Sequence, residues 1–519
     1  MKKTTLLLII LVATGTTGLF AQAGIMDPTF GAGGKVNTAV GPGASEGWAM
    51  AIQDDWSIVV GGTAYNGTDS DFALIRYQQN GNLDSSFGTN GKVTTNFGSG
   101  SDVVYAVTLQ SDGKIVAAGL SWNGTNNDFA LARYNVNGTL DNTFGNSGKV
   151  TTDFASSNDM GFAVAMLDGW SIVVGGIIFN GTDYDYALAR YTQYGVLDSS
   201  FGVNGKVITP MGSGDDFLTA MAIQSDSSII VAGYAVSGSS NSFALAKYHS
   251  NGALDNSFGT NGKVITNVTS NDAEATALTM QSDGKIVIGG YIGNGVNDDF
   301  GLARYNANGT LDATFGTNGI VETAVGDSDE AIYSLAVQPD GKIIGAGSTI
   351  SNVGLYKNAI TRYNTDGSLD NNFGGTGIVT NVLSASNNEA YATAIQHDGK
   401  IVTAGYANDG TNDKFSVARY ISGLNLGVLD FSSSVNLVLI YPNPITQSAT
   451  LEYTLSKEEQ ISISLVDMQG KTVKTFADNQ TQATGYHKQP VLLSDQIASG
   501  TYLLLISSPN GQVSIKIVK

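Results

Sequence analysis

The chain has 519 residues, of which 42% are hydrophobic and only 14% charged, with 65 glycines, 8 prolines and no cysteine. That apolar share supports a packed core and excludes a disordered chain; the missing cysteines exclude a disulfide framework, thiol catalysis and a lipid-bearing cysteine. A net charge of −19, carried mostly by turn-favouring aspartate, argues against nucleic acid as a partner.

Residues 1–23 read as a signal peptide. Lys2 and Lys3 form a positive start, "LLLIILVA" (6–13) an apolar stretch, and "AQA" (21–23) a small-residue cleavage site. The apolar run is too short to span a bilayer. No second long one follows, so no transmembrane segment is expected in the mature chain.

From residue 24 the sequence repeats itself. "LDNTFGNSGKV" (140–150) returns as "LDSSFGVNGKV" (197–207) and "LDNSFGTNGKV" (254–264). The phenylalanines of this "FGxxG" signature are Phe30, Phe87, Phe144, Phe201, Phe258, Phe315 and Phe373, 57 residues apart and 58 at the last step. "QSDGKIV" (110–116) and "DFALARY" (128–134) recur in the same register, seven times each with degenerate copies. In one unit, 92–134, the runs "KVTTNF", "YAVTLQ", "KIVAAGL" and "FALARY" have strand length and are separated by turn-formers. Four short strands in meander order, repeated seven times and apolar on both faces, predict an all-β, seven-bladed β-propeller over 24–430. A β-solenoid is the competing architecture, but its coils are usually shorter than 57 residues. The last blade lacks its "GKV" strand while "GGKVNTA" (33–39) is spare, so the N-terminal strand is expected to close the ring. Within each unit the phenylalanine is expected to plug between blades. Arg76, Arg133, Arg190, Lys247, Arg304, Arg362 and Arg419 are expected to pair with a nearby "LD" aspartate. Trp56 and Trp170 stand where other copies have the glycine of the "DG" turn.

This ordered set, "LDxxFGxxGKV…QxDGKIVxxGY…DFALARY", resembles the delta-60 repeat family of β-propellers over about residues 27–430. The resemblance implies the fold and no defined chemistry.

After a linker at 431–436 the composition changes. "ATLEYTL", "ISISLVD", "KTVKTF", "TYLLLIS" and "VSIKIVK" alternate with period two, predicting a small Ig-like β-sandwich over 437–519. Tyr441, Pro442, Asn443 and Pro444, then Gly470, then Gly500, Thr501, Tyr502 and Leu503, and the terminal Lys516–Lys519 resemble the type A C-terminal sorting domain of the type IX secretion system. That resemblance implies a Bacteroidota-type bacterium and the type IX secretion machinery as a partner. It also implies passage across the outer membrane and a secreted or cell-surface location, usually with removal of the domain. The alternative is an ordinary Ig-like accessory domain.

No chemistry stands out. His249, His397 and His487 have no partner at metal-ligand spacing, and "DGTNDK" (409–414) is only a fragment of an EF-hand loop. No nucleophile elbow or phosphate-cradling loop occurs. No enzyme activity, cofactor or metal is therefore expected.

One asymmetry remains. The "SDGK" and "NGxLDxxFG" turns share one face of the propeller, whereas the links before the first strand and between the second and third share the other and vary in sequence. Loops that vary on a rigid scaffold are where recognition is expected. Acids recur there at or beside one register: Glu46, Asp102, Asp159, Asp216, Glu274, Glu330 and Glu389. They are candidates for a ring at the channel mouth that attracts a cation or a basic partner. Tyr65, Trp122 and Phe179, 57 apart, are candidates for stacking on sugar rings. The leading reading is an exported scaffold that binds an extracellular polysaccharide or protein. The alternatives are a structural surface protein without a ligand and a polysaccharide-acting enzyme.

Overall fold

The structure, a computed structural model, describes residues 22–154, 157–268, 270–423, 435–441, 445, 448–455, 457–467, 472–493, 497–498, 500–508 and 511–519. The chain divides into two compact units, 1–424 and 425–519. The proposed signal peptide before residue 22, most of the linker, and Pro442, Asn443, Pro444 and Gly470 lie outside the described residues.

The first unit is a seven-bladed β-propeller of four-stranded antiparallel sheets. Blade 1 runs from the innermost strand Ser45–Ile52 through Ile58–Tyr65 and Ser70–Tyr77 to the outer strand Lys92–Thr95. Lys92–Thr95 pairs with the strand before it in sequence, so the unit 92–134 straddles two blades: its first strand is the rim of blade 1 and its other three are the inside of blade 2.

Ring closure uses the spare N-terminal strand. Lys35–Thr38 pairs antiparallel with Asp413–Tyr420 and supplies the outer strand of blade 7. Gly24 N–H donates to Ile421 O at 2.7 Å and Asp27 N–H to Arg419 O at 2.8 Å. The closing strand covers the edge of Asp413–Tyr420 that would otherwise be open.

The hydrophobic core lies between blades. Val59, Phe72 and Leu74 of blade 1 pack with Val104, Ile115, Ala117 and Tyr134 of blade 2 around Phe87. Blade 1 meets blade 7 in the same way, through Ile58, Val60 and Ala73 against Val402, Phe415 and Val417 around Phe30. The second and third strands are therefore buried on both faces, which is why they read as continuous apolar runs.

The repeated polar residues tie these layers together. Each cation before the tyrosine meets its aspartate: Arg76–Asp84 at 2.6 Å, Arg133–Asp141 at 2.9 Å, Arg190–Asp198 at 2.9 Å, Lys247–Asp255 at 3.3 Å, and Arg304–Asp312, Arg362–Asp370 and Arg419–Asp27 at 2.8 Å. The guanidinium also lies over the signature phenylalanine, 4.6 Å from the Phe144 ring for Arg133, and donates to the next blade, Arg133 Nη1 to Gln193 O at 2.5 Å. Four of the tyrosines, Tyr134, Tyr191, Tyr248 and Tyr305, reach back the other way, as Tyr134 OH donates to Thr95 Oγ1 at 2.9 Å.

At the "DG" turns the two tryptophans differ. Trp56 does take the glycine's left-handed place, with φ 72 against 81 for Gly113, and its ring lies 5.6 Å from that of His397. In blade 3 the left-handed residues are Asp168 (φ 53) and Gly169 (φ 81), so Trp170 does not replace the glycine; the turn has moved one residue back.

The second unit is a sandwich of two antiparallel sheets. One contains Val435–Tyr441, Ser448–Leu455 and Gly485–Leu492; the other contains Thr472–Gln482, Glu459–Val466, Thr501–Ser508 and Gly511–Val518. Leu451, Tyr453, Ile461, Ile463, Leu504 and Ile517 form its core. Gly485–Leu492 was not evident in the sequence, because it is polar and carries Pro490; it is an edge strand, where proline is tolerated. Gly500 and Lys519 exchange two backbone hydrogen bonds at 3.0 Å, and Tyr502 OH donates to Ala498 O at 2.8 Å, which ties down the C-terminus. Tyr441 and Lys516 lie in terminal strands of this unit.

Candidate binding face

Every innermost strand carries a β-bulge at the same place, between Gly47 and Ala49 in blade 1 and at the equivalent pair in the other six. A bulge adds one unpaired residue and re-aims its side chain. The seven bulged residues are Trp48, Tyr105, Phe162, Thr219, Thr276, Tyr333 and Tyr391. Their rings meet from blade to blade: Tyr105–Phe162 at 5.1 Å, Trp48–Tyr105 at 5.8 Å, Trp48–Tyr391 at 4.2 Å and Tyr333–Tyr391 at 4.8 Å between centroids. Equivalent side chains on successive innermost strands meet only around the axis, so these half-buried rings line the channel. They form an arc across blades 6, 7, 1, 2 and 3, and Thr219 and Thr276 complete the circle.

A glycine opposite each bulge makes room for it. A Cβ on Gly119 would come within 1.8 Å of Val103 O, and all seven blades carry glycine at this position, with clashes of 1.8–1.9 Å. Gly119→Ala is expected to flatten the bulge or part the strands. The cost should be at least the roughly 1–3 kcal/mol of an overpacked core site, read as a lower midpoint of thermal unfolding.

Acids stand beside the arc. Glu389 is buried; its Oε1 accepts from Tyr406 OH at 2.7 Å and its Oε2 from Ser348 Oγ at 3.1 Å. Burial raises the pKa of the Tyr391 phenol, and Glu389 and Tyr333 raise it further; burial, then Glu389, takes Tyr333 up to about 12. Glu46, half-buried on the next blade, titrates high because of burial and then the neighbouring Asp413 and Glu389. The mouth near blades 7 and 1 thus combines aromatic rings, phenol hydroxyls and carboxylates.

The acids read from sequence fall into two sets. Asp102, Asp159, Asp216 and Glu330 occupy the first position of their strands, level with Ser45; Glu46, Glu274 and Glu389 occupy the second. A one-residue step in a strand moves a side chain to the opposite side of the sheet. The first set therefore does not ring the mouth. It is buried and caps the preceding loop: Asp102 Oδ2 accepts from Phe97 N–H at 2.8 Å, Asp159 Oδ2 from Phe154 N–H at 2.6 Å, Asp216 Oδ2 from Met211 N–H at 2.5 Å, and Glu330 Oε2 from Val325 N–H at 2.6 Å.

Tyr65 and Trp122 stand exposed at the ends of their second strands. Trp122 lies across Gly100, where a Cβ would come within 2.3 Å of the ring. Phe179 is drawn into a row that crosses to blade 4: Phe179–Tyr184 and Tyr184–Phe217 at 5.3 Å, then Phe217–Tyr234 at 5.0 Å.

The buried carboxylates give stability an acid optimum. Burial, outweighing the loop amides, raises Asp159 to about 7 and Asp216 to about 6. Such groups bind protons more tightly when folded, so stability grows as pH falls from above 7 toward the unfolded value near 4. Asp27, Asp84, Asp141 and Asp312 move the other way: burial pushes them up, but the hydroxyl and amide two residues on and the paired arginine hold them low. Their contribution is present above about pH 4 and is lost as pH falls through their folded values. The unfolding midpoint should therefore be higher at pH 5 than at pH 8 and fall below about pH 4. A midpoint climbing steadily from pH 4 to 8 would contradict this.

Comparison with known proteins places both units. Residues 53–87, 110–144, 168–201, 224–258, 281–315, 338–373 and 396–422 match the beta-propeller domain of unknown function DUF5122, and residues 439–519 match a secretion system C-terminal sorting domain. No match was found among curated proteins. Among solved structures, a protein of unknown function from Dyadobacter fermentans is 12% identical, with 75% of this chain and 98% of that one covered and a TM-score of 0.41. Sqt1 from Chaetomium thermophilum is 11% identical, with 93% and 100% covered and a TM-score of 0.42. An ulvan lyase of polysaccharide lyase family PL25 is 11% identical, with 75% and 96% covered and a TM-score of 0.34.

Proposed function

Because the chain belongs to the DUF5122 beta-propeller family and ends in a type IX secretion sorting domain, which makes it a secreted cell-surface protein that engages the secretion machinery, we propose that its propeller is a binding scaffold for an extracellular polysaccharide. The observation that carries this reading is the arc of five rings around the channel, flanked by Glu46 and Glu389. Sugar rings present apolar C–H faces and hydroxyl edges. Aromatic planes take the faces, while carboxylates and phenols take the edges. Tyr65 and Trp122 extend the same face outward over blades 1 and 2. Asp102, Asp159, Asp216 and Glu330 hold the loops of this face in place, and Phe179 joins blades 3 and 4.

The test is retention of the secreted chain on immobilised polysaccharides and on envelope proteins. Saturable retention on a polysaccharide, competed by its soluble form, is the expected result. Retention on a protein alone would move the ligand class, and none on either would favour a structural role.

A further inference from the structure

Besides the channel, blades 2 and 3 enclose a second polar site on the same face. Asp128 is the second residue of the third strand of blade 2, Asp153 follows that blade's outer strand, and Asp159 opens the innermost strand of blade 3. One carboxylate oxygen from each lies within 4.8 Å of the other two. Asp128 is 7% exposed and Asp159 0%, whereas Asp153 is exposed and opens the site to solvent. Each buried member commits one oxygen to the protein: Asp128 Oδ2 accepts from Asn123 Nδ2 at 3.0 Å and Asp159 Oδ2 from Phe154 N–H at 2.6 Å. The other oxygen of each, Asp128 Oδ1 and Asp159 Oδ1, is buried without any hydrogen-bond partner. A buried, unpaired carboxylate oxygen is costly, and two beside a third acid repel one another. The pKa of Asp159 registers this: burial raises it first, Asp153 and Asp128 add to the rise, and the Phe154 amide and Lys206, whose ammonium donates to Asp153 O, offset only part of it.

The repeat supplies internal controls. Three other junctions carry the buried pair: Asp71 with Asp102, Asp185 with Asp216, and Asp299 with Glu330. At the place of Asp153 these have Asn96, Pro210 and Ala324. The junction of blades 4 and 5 has Ser242, Asn267 and Ala273 at the three places, and there Ser242 Oγ donates to Asn267 Oδ1 at 2.6 Å, which shows that side chains at the Asp128 and Asp153 places touch. A pair of acids can settle its repulsion by sharing a proton. Three acids, one of them open to solvent, suit a divalent ion. All-oxygen ligands select a hard cation, and calcium accepts an irregular set completed by water.

We propose that Asp128, Asp153 and Asp159 bind one calcium ion between blades 2 and 3. The ion would staple the two blades and fix the loop that leads into the innermost strand of blade 3. The site is separate from the channel arc and does not rest on the polysaccharide reading.

The test is calorimetric titration of the chelator-treated secreted chain with calcium chloride at pH 8, with thermal unfolding followed in parallel. One ion per chain and a higher unfolding midpoint with calcium are expected. Asp153→Asn should weaken uptake at least tenfold and remove the thermal response; the fold accepts asparagine there, since Asn96 is the natural residue one blade earlier. Asn96→Asp should create a second site with Asp71 and Asp102 and raise the stoichiometry to two. No saturable uptake by the wild type, or uptake and thermal response unchanged in Asp153→Asn, would overturn the proposal.

Discussion

Deleting residues 24–38 is expected to abolish the folded propeller, and Asp27→Ala alone to cost about 3–5 kcal/mol. The N-terminal segment carries three links at once: the outer strand of blade 7, the partner of Arg419 and the phenylalanine beneath it. The Arg419 and Asp27 side chains are each 3% exposed, so removing the carboxylate leaves a buried guanidinium unpaired. Arg419 also donates to Gln79 O of blade 1 at 2.5 Å, so the loss spreads across the closure. A circular permutant separates the clasp from mere chain length. Joining residue 421 to residue 24 through a short linker, and opening the chain in the loop at 41–44, keeps the outer strand, the Asp27–Arg419 pair and Phe30. The permutant should fold with near-native stability while the deletion does not. A deletion variant with an unchanged unfolding midpoint would show that blade 7 closes without the strand.

Trp48→Ala and Tyr391→Ala should each weaken polysaccharide binding by about 2 kcal/mol, roughly thirty-fold, the size of a central aromatic anchor. The two rings are the closest pair in the arc, at 4.2 Å, and Tyr391 also links Glu389 to Tyr333. Trp122→Ala, at the exposed edge, should cost less, because peripheral contacts mainly exclude water. Trp170→Ala is the control: it is exposed on the opposite face and should leave affinity unchanged. Unfolding midpoints measured on the same samples separate lost contacts from lost structure.

The fold was legible because its determinants repeat at fixed spacing. Phe87, Arg76 and Asp84 are one interblade device copied seven times, and the spare "GKV" strand announced the closure. The channel was harder to read. The bulge at Trp48 adds one residue to the strand and breaks the period-two alternation, so a channel-lining aromatic reads as part of an apolar run. A signal was nonetheless present, since Trp48, Tyr105 and Phe162 are 57 residues apart, as are the more visible Tyr65 and Trp122. The acids carried a similar clue. Asp102, Asp159 and Asp216 keep the 57-residue step, but Glu46 is 56 before Asp102, and that single residue separates a buried loop cap from a side chain near the mouth. The triad at Asp128 was out of reach, because two members lie in strands of different blades and the third just past an outer strand, and they converge only once the two blades pack together.

The measurement that tests the central claim most directly is the affinity of the secreted chain for soluble polysaccharides, titrated for the wild type, Trp48→Ala and Tyr391→Ala. A channel-mouth site predicts saturable binding that falls about thirty-fold in both variants while their unfolding midpoints stay well above the assay temperature. Binding of equal strength in all three, or no polysaccharide bound at all, would contradict it.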